Sequence, residues 1–179
     1  MLGRALVSGT LAAAAVTAVA ALASRRVTGS HASALNAVSH FLWGEGAARR
    51  NAVSVKYTGV GLAANYGASV LWAALYELLG KKRTPARALR DGALVSAAAY
   101  VVDYHVVPKR FTPGFELRLP GRALAGIYAA LALGLALRDA VSASQPSGAH
   151  TSSRGLRSAS TPRNSVTSAA TSISTAAKA

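Results

Sequence analysis

Asp103 and His105 stand near the end of an apolar run, in the stretch AAAYVVDYHVVPKRFTPGFE over residues 97–116. A carboxylate and an imidazole can serve acid–base chemistry, metal ligation or proton relay. Their spacing argues against one shared local site, because residues two apart on a helix point to nearly opposite sides. Pro108 breaks the run, and Lys109 and Arg110 follow at once. A base placed there can fold back over the helix end. The expected partner of Asp103 is therefore Lys109, Arg110 or a neighbouring helix, in an anchor that holds the PKRFTPGFE loop.

The imidazoles and acids open to a wider constellation are His31, His40, His105, Glu45, Glu77, Asp103 and Glu116. A metal or haem site from His40, His105 and a carboxylate is conceivable, but no HxxxH or HExxH spacing supports it. There is no cysteine, which excludes disulfides, thiolate metal sites and cysteine nucleophiles. No GxSxG, P-loop or GxGxxG motif occurs, so no catalytic residue and no cofactor is assigned. A second concentration of polar groups lies at residues 57–76. At 100° per residue, Thr58, Asn65, Ser69, Trp72 and Tyr76 share a sector of about 60°, with Tyr66 and Glu77 on the adjoining strip. Such a stripe either bonds to other helices or forms one wall of a ligand or proton path.

The elements that carry these residues are helical. Ala5–Ser24 and Tyr57–Tyr76 are each free of charge, and about twenty helical residues rise about 30 Å, the thickness of a bilayer's hydrocarbon core. Arg4 and Arg25-Arg26 bracket the first run. Ala21-Leu22-Ala23 also fits an A-x-A cleavage site, but the arginines immediately after it favour a retained span. Thr84-Pro85 reads as a helix start, a capping hydroxyl followed by proline at the first position. The third helix carries Arg87, Arg90 and Asp91 early, where they must reach headgroups. The fourth follows Pro120, between Arg122 and Arg138. Leu35, Val38, Phe41 and Leu42 share one face of a short helix, with Asn36, Ser39 and His40 away from it. That reads as an interfacial helix with Trp43 at headgroup depth, or as a small helix packed on the bundle.

The expected fold is thus all-α: a four-helix transmembrane bundle with a short interfacial helix and a disordered C-terminal tail. Its domains are a membrane region over 1–141, with spans at about 5–24, 57–79, 86–107 and 121–138 and an interfacial helix at about 31–43, and a Ser/Thr/Ala-rich tail over 142–179. The net charge of +14 sits in short clusters between uncharged runs. That pattern suits span flanks on anionic lipid headgroups and not nucleic acid. The bases divide so evenly that the positive-inside rule gives no orientation. Small residues recur four apart at Gly9, Ala13, Thr17 and Ala21, at Ala63 and Gly67, and at Gly126, Ala130 and Gly134. Such faces allow close helix contact, within the chain or in a homo- or hetero-oligomer.

Three stretches, SHFLWG at 39–44, WAALYELL at 72–79 and DYHVVPKRFTPGFE at 103–116, together resemble a family of small, uncharacterised multi-span inner-membrane proteins of Gram-negative bacteria. The resemblance covers about residues 30–138 and implies a multi-pass protein of the bacterial inner membrane. It implies no activity. The first functional expectation is a non-enzymatic structural or interaction protein in the bilayer. Two alternatives stand beside it: a small-solute or proton-translocating unit using Asn65, Glu77 and Asp103, and a metal- or haem-binding membrane protein. The polar positions that could serve either a structural or a functional role are His40, Asn65, Ser69, Trp72, Tyr76, Glu77, Asp103, His105, Lys109 and Arg110.

Fractionation tests the membrane expectation. The chain should stay with the membrane through carbonate extraction, and reporters fused after Ser24, Lys82, Phe115 and Ala143 should alternate in side. Release into the soluble fraction would refute the bundle.

Overall fold

Local signals set where each helix starts and stops. In the computed structural model, which describes residues 1–80 and 83–144, all regular structure is helical. The first helix, α1 (Leu2–Thr28), ends at Gly29 with φ 75°, whose N–H bonds back to the Arg25 carbonyl. Glycine takes this left-handed conformation without a Cβ clash. Two short helices follow, α2 (Ser33–Val38) and α3 (His40–Trp43). A π-helical turn over Val55–Gly59 leads into α4 (Val60–Leu78). At the start of α5 (Pro85–Val101), the Thr84 side chain accepts from the Arg87 N–H and Pro85 occupies the first turn. A second π-helical turn, Val102–Val106, extends α5. Short 3-10 turns at Lys109–Phe111 and Phe115–Leu117 connect to α6 (Gly121–Ser144). Met1–Pro146 form one compact unit. The tail from 145 onward, and with it most of the expected disordered segment, lies outside the described residues, as do Lys81 and Lys82.

The four long helices form a bundle. α1 packs on both α4 and α6, and α6 also packs on α5, whereas α4 and α5 touch only lightly. The core is built from Ala12, Val16 and Ala20 of α1, Ala73 and Tyr76 of α4, Val95 and Ala99 of α5, and Ile127, Leu131 and Leu135 of α6. Missing side chains permit the close approaches. A methyl group on Gly134 would sit 2.4 Å from Ala12 Cα, one on Gly9 2.8 Å from Val70 Cα, and one on Gly92 2.5 Å from the Ala132 carbonyl oxygen. These small-residue positions therefore serve contacts within the chain, while Gly67 opens on free space.

Two helices, Leu2–Thr28 and Gly121–Ser142, are long and apolar enough to cross a membrane. Of the four spans expected from the sequence, these are the first and the fourth. α4 falls short because Asn65, Ser69, Tyr76 and Glu77 interrupt its apolar run, and α5 because it has only 17 residues and carries Arg87, Arg90 and Asp91 in its first turns.

The expected interfacial helix over 31–43 is also different. It is two helices, and every residue of α2 is buried. Asn36, Ser39 and His40, read as the outward polar side, are turned in, while Leu42 and Trp43 are exposed. The reason is hydrogen bonding. Asn36 Nδ2 donates to the carbonyls of Arg50 and Ala52 at 2.9 and 3.0 Å, and Asn36 Oδ1 accepts from Thr58 Oγ1 at 2.6 Å. Ser33 pairs with Ser24 at 2.7 Å, and Ser39 Oγ donates to the Asn36 carbonyl at 2.7 Å. Inside the bundle end Asn36 satisfies two carbonyls of the 44–54 connection, while the serines bond to one another and to the α2 backbone.

Glycine substitutions test this packing. Gly134→Ala should destabilise by about 1–3 kcal/mol through overpacking. Gly67→Ala, in open space within a helix, should be neutral or stabilising by up to about 1 kcal/mol. Detergent melting curves of the two variants should shift in opposite directions or leave only the first lowered.

Candidate functional site

The antiparallel run of the helices brings the start of α1, the end of α4, the start of α5 and the end of α6 to one level, where an ionic cluster forms. Glu77 receives Arg4 Nε at 2.8 Å, Arg138 Nη2 at 3.0 Å and Ser8 Oγ at 3.2 Å. Arg83 bridges two further acids, reaching Asp139 Oδ2 at 2.9 Å and Asp91 Oδ2 at 3.1 Å. It also donates to the Tyr76 carbonyl and lies 3.9 Å over the Tyr76 ring. The Tyr76 hydroxyl donates to Asp139 Oδ2 at 3.2 Å. Arg138 and Arg90 add contacts of 2.6 Å to Asp139 and 2.7 Å to Asp91. The Arg83 guanidinium is held above its ordinary pKa range: burial works against its charge, but hydrogen bonds to Asp139 and Asp91 outweigh that.

The opposite end holds a cavity of about 180 Å³ among α4, the second π-helical turn and α6. Asn65, Ser69 and Trp72 of α4 line one wall, and Asp103 of the second π-helical turn faces them with Tyr128 of α6. Phe41 of α3 and Phe111, Thr112, Pro113 and Phe115 of the PKRFTPGFE loop close over it. The Tyr128 hydroxyl donates to Asp103 Oδ2 at 2.6 Å. Asn65 Nδ2 turns to α1, reaching Thr17 Oγ1 at 3.1 Å and the Ala13 carbonyl at 3.3 Å. Ser69 is 3% exposed, and its hydroxyl has no hydrogen-bond partner among the described residues. The wall is thus aromatic and apolar with a few convergent polar groups, the usual make-up of a small-molecule site.

The loop that closes the cavity is pinned to α2 and α3. His40 Nδ1 lies 3.0 Å from the Ala37 carbonyl oxygen, and Nε2 3.4 Å from that of Lys109. Gly114, at φ 81°, nestles so close that a methyl group there would come within 2.5 Å of the Ala37 oxygen. Arg110 Nε donates to the Phe41 carbonyl at 3.4 Å.

Several sequence expectations are corrected here. Asp103 is anchored by Tyr128, a neighbouring helix, and not by Lys109 or Arg110. Val107 and Pro108 are extended, with ψ of 146° and 147°, so the chain runs away from the helix end toward α3. Among the described residues no Lys or Arg stands within ion-pair distance of Asp103. Asp91, expected at the headgroups, is 2% exposed and held by Arg83. Glu77 and Tyr76 belong to the ionic cluster, so the set Asn65, Glu77 and Asp103 does not meet in one place. His40 is buried under the loop, whereas His105 is exposed beside the Tyr100 ring. Among the described residues no three His, Asp or Glu side chains gather where a metal ion could bind.

Arg83, Asp91, Tyr128 and Asp139 were missed as site residues. One signal could have found three of them. In an up-and-down bundle the helix ends at one level meet, and Arg83, Asp91 and Asp139 all sit at that level in the sequence, with Arg4, Glu77 and Arg138. Tyr128 carried no such signal, since its place opposite Asp103 depends on the pairing of α5 with α6. The chain matches no protein-family model, no curated protein and no solved structure.

The cluster makes a stability prediction. Arg83→Met leaves Asp91 and Asp139 buried without their shared base and should cost about 3–5 kcal/mol. Arg87→Met, at a half-exposed side chain 3.8 Å from Asp91, should cost at most about 1 kcal/mol. Thermal unfolding in detergent compares the two.

Proposed function

We propose that this chain is a multi-pass helical protein of the bacterial inner membrane that binds a small organic cation in the cavity among α4, the second π-helical turn and α6, and that it acts by binding and not by catalysis. The observation that carries this reading is Asp103. It is a half-buried carboxylate on a cavity wall, with a tyrosine hydroxyl as partner and no base within reach. A carboxylate withdrawn from water calls for a positive charge. Trp72, Phe41, Phe111, Phe115 and Tyr128 surround the space it faces, and aromatic faces attract cations. A bare proton would neutralise Asp103 but would have no use for the aromatic walls.

The surface supports the membrane part. Leu6, Val7 and Leu22 of α1, Leu62, Leu71 and Leu75 of α4, Leu89, Leu94 and Val101 of α5, and Leu133 and Leu137 of α6 all face outward and are exposed. The polar groups of α4 that shorten its apolar run are turned inward, as is Asp91 of α5, whereas Arg87 and Arg90 are exposed at the start of α5. Four helices with apolar outsides and polar insides suit a lipid surround, where polar groups face protein and not lipid. The three stretches that carry the family resemblance each contribute to the cavity: Phe41, Trp72, and Asp103 with the loop. Thr58, Asn65 and Tyr76 of the polar stripe bond to other parts of the chain, so that stripe serves structure as well as site.

Tryptophan emission tests the cavity. The chain has two tryptophans, and Trp43→Phe leaves Trp72 as the reporter. Titration with tetramethylammonium should give a saturable change, weakened at least about tenfold by Asp103→Asn. Neutral tert-butanol should give none. An unsaturable response, or equal affinity in the Asp103→Asn variant, would overturn the reading.

A further inference from the structure

A second groove opens on the outside of the bundle, where the last turns of α1 meet the first turns of α6. It encloses about 520 Å³. Its floor is apolar, from Val19 and Leu22 of α1 to Ala123 and Gly126 of α6, and Arg26 and Arg122 stand in its lining at the helix ends. Small residues leave the trough open: a methyl group on Gly126 would meet only Val19 Cγ1, at 3.6 Å.

The two arginines differ from the rest of the bundle's inward-turned bases. Arg4, Arg83 and Arg138 are each held by carboxylates. Arg26 and Arg122 are exposed, pair with no acid among the described residues, and share a groove that no acid lines. α6 also begins here, just after Pro120, so its first backbone N–H groups add positive potential beside Arg122.

We propose that this groove binds one anionic phospholipid, with its phosphate between Arg26 and Arg122 and an acyl chain along Leu22, Val19 and Gly126. A free anion would engage the arginines but has no use for the trough. A neutral lipid would fill the trough but gain nothing from the charges. Basic pockets between membrane helices recognise anionic headgroups in this way. The proposal rests on the membrane reading above and is independent of the cavity at Asp103. Carbonate extraction tests the membrane reading separately, so the two can fail separately.

The experiment uses the full chain in detergent. Phosphatidylglycerol and phosphatidylcholine with identical acyl chains are offered together, and bound lipid is counted by native mass spectrometry. The parent chain should retain one phosphatidylglycerol in preference to phosphatidylcholine. Arg26→Gln with Arg122→Gln should weaken that retention about thirtyfold, the membrane-surface worth of two basic side chains. Arg49→Gln with Lys109→Gln should leave it unchanged. Gly126→Leu, which fills the trough but keeps both arginines, should also lose the lipid. Equal retention of the two lipids by the parent would overturn the proposal, whatever the variants do. So would retention unchanged by the paired arginine substitution or by Gly126→Leu. Competition by inorganic phosphate at the same concentration as the lipid would overturn it as well, because it would identify a site for free anions.

Discussion

Glu77, Asp91 and Asp139 are all buried at one end of the bundle, and removing three carboxylates from water is tolerable only if bases come with them. The ion pairs need not make the bundle more stable than an apolar core would; their force lies in mutual dependence, because each group is costly once its partner is gone. Arg83 carries the heaviest share. It is on the connection between α4 and α5 and touches α4 through Tyr76, α5 through Asp91 and α6 through Asp139. Arg4 adds α1 through Glu77. One end of all four long helices is thereby tied to a common level, and their register at that end follows from where charge can be neutralised.

The opposite end is held differently. Serines, Asn36 and Thr58 stitch α2 to α1, to the 44–54 connection and to the turn before α4, and His40 with Gly114 fastens the loop above them. With one end fixed by charge and the other by neutral hydrogen bonds, the middle is closed by small residues. Where glycines allow it, α1 meets α4 and α6, and α5 meets α6. α4 and α5 have no such contact with each other. The cavity lies among α4, the π-helical turn at Val102–Val106 and α6, and Asp103 of that turn lines it while His105 is exposed.

The contrast between the two ends is what gives Asp103 its meaning. At the ionic end every buried acid has at least one arginine. At the cavity end the acid has a tyrosine, and the nearest bases in sequence, Lys109 and Arg110, are led away by the extended backbone at Val107 and Pro108. The exposed groove at Arg26 and Arg122 shows the reverse imbalance, with bases and no acids. Both contrast with the ionic end, where Glu77, Asp91 and Asp139 are each paired with arginine.

The four long helices were legible in the sequence, since uncharged runs, the Thr84-Pro85 start and Pro108 act over a few residues. The inward side of α4 was legible too, because a polar stripe is a property of one helix. What a sequence could not supply was partnership. Asp91 and Asn36 were placed at the surface because a single helix gives no sign that Arg83, or the carbonyls of Arg50 and Ala52, will meet them inside. Lys109, Arg110 or a neighbouring helix were the partners open to Asp103, and the last of these holds, through Tyr128, twenty-five positions away. Secondary structure answers to interactions between near neighbours, which the order of residues states outright. The pairing of buried charges, and the cavity lined by residues from α1 to α6, depend on contacts between distant residues that exist only once the helices have packed.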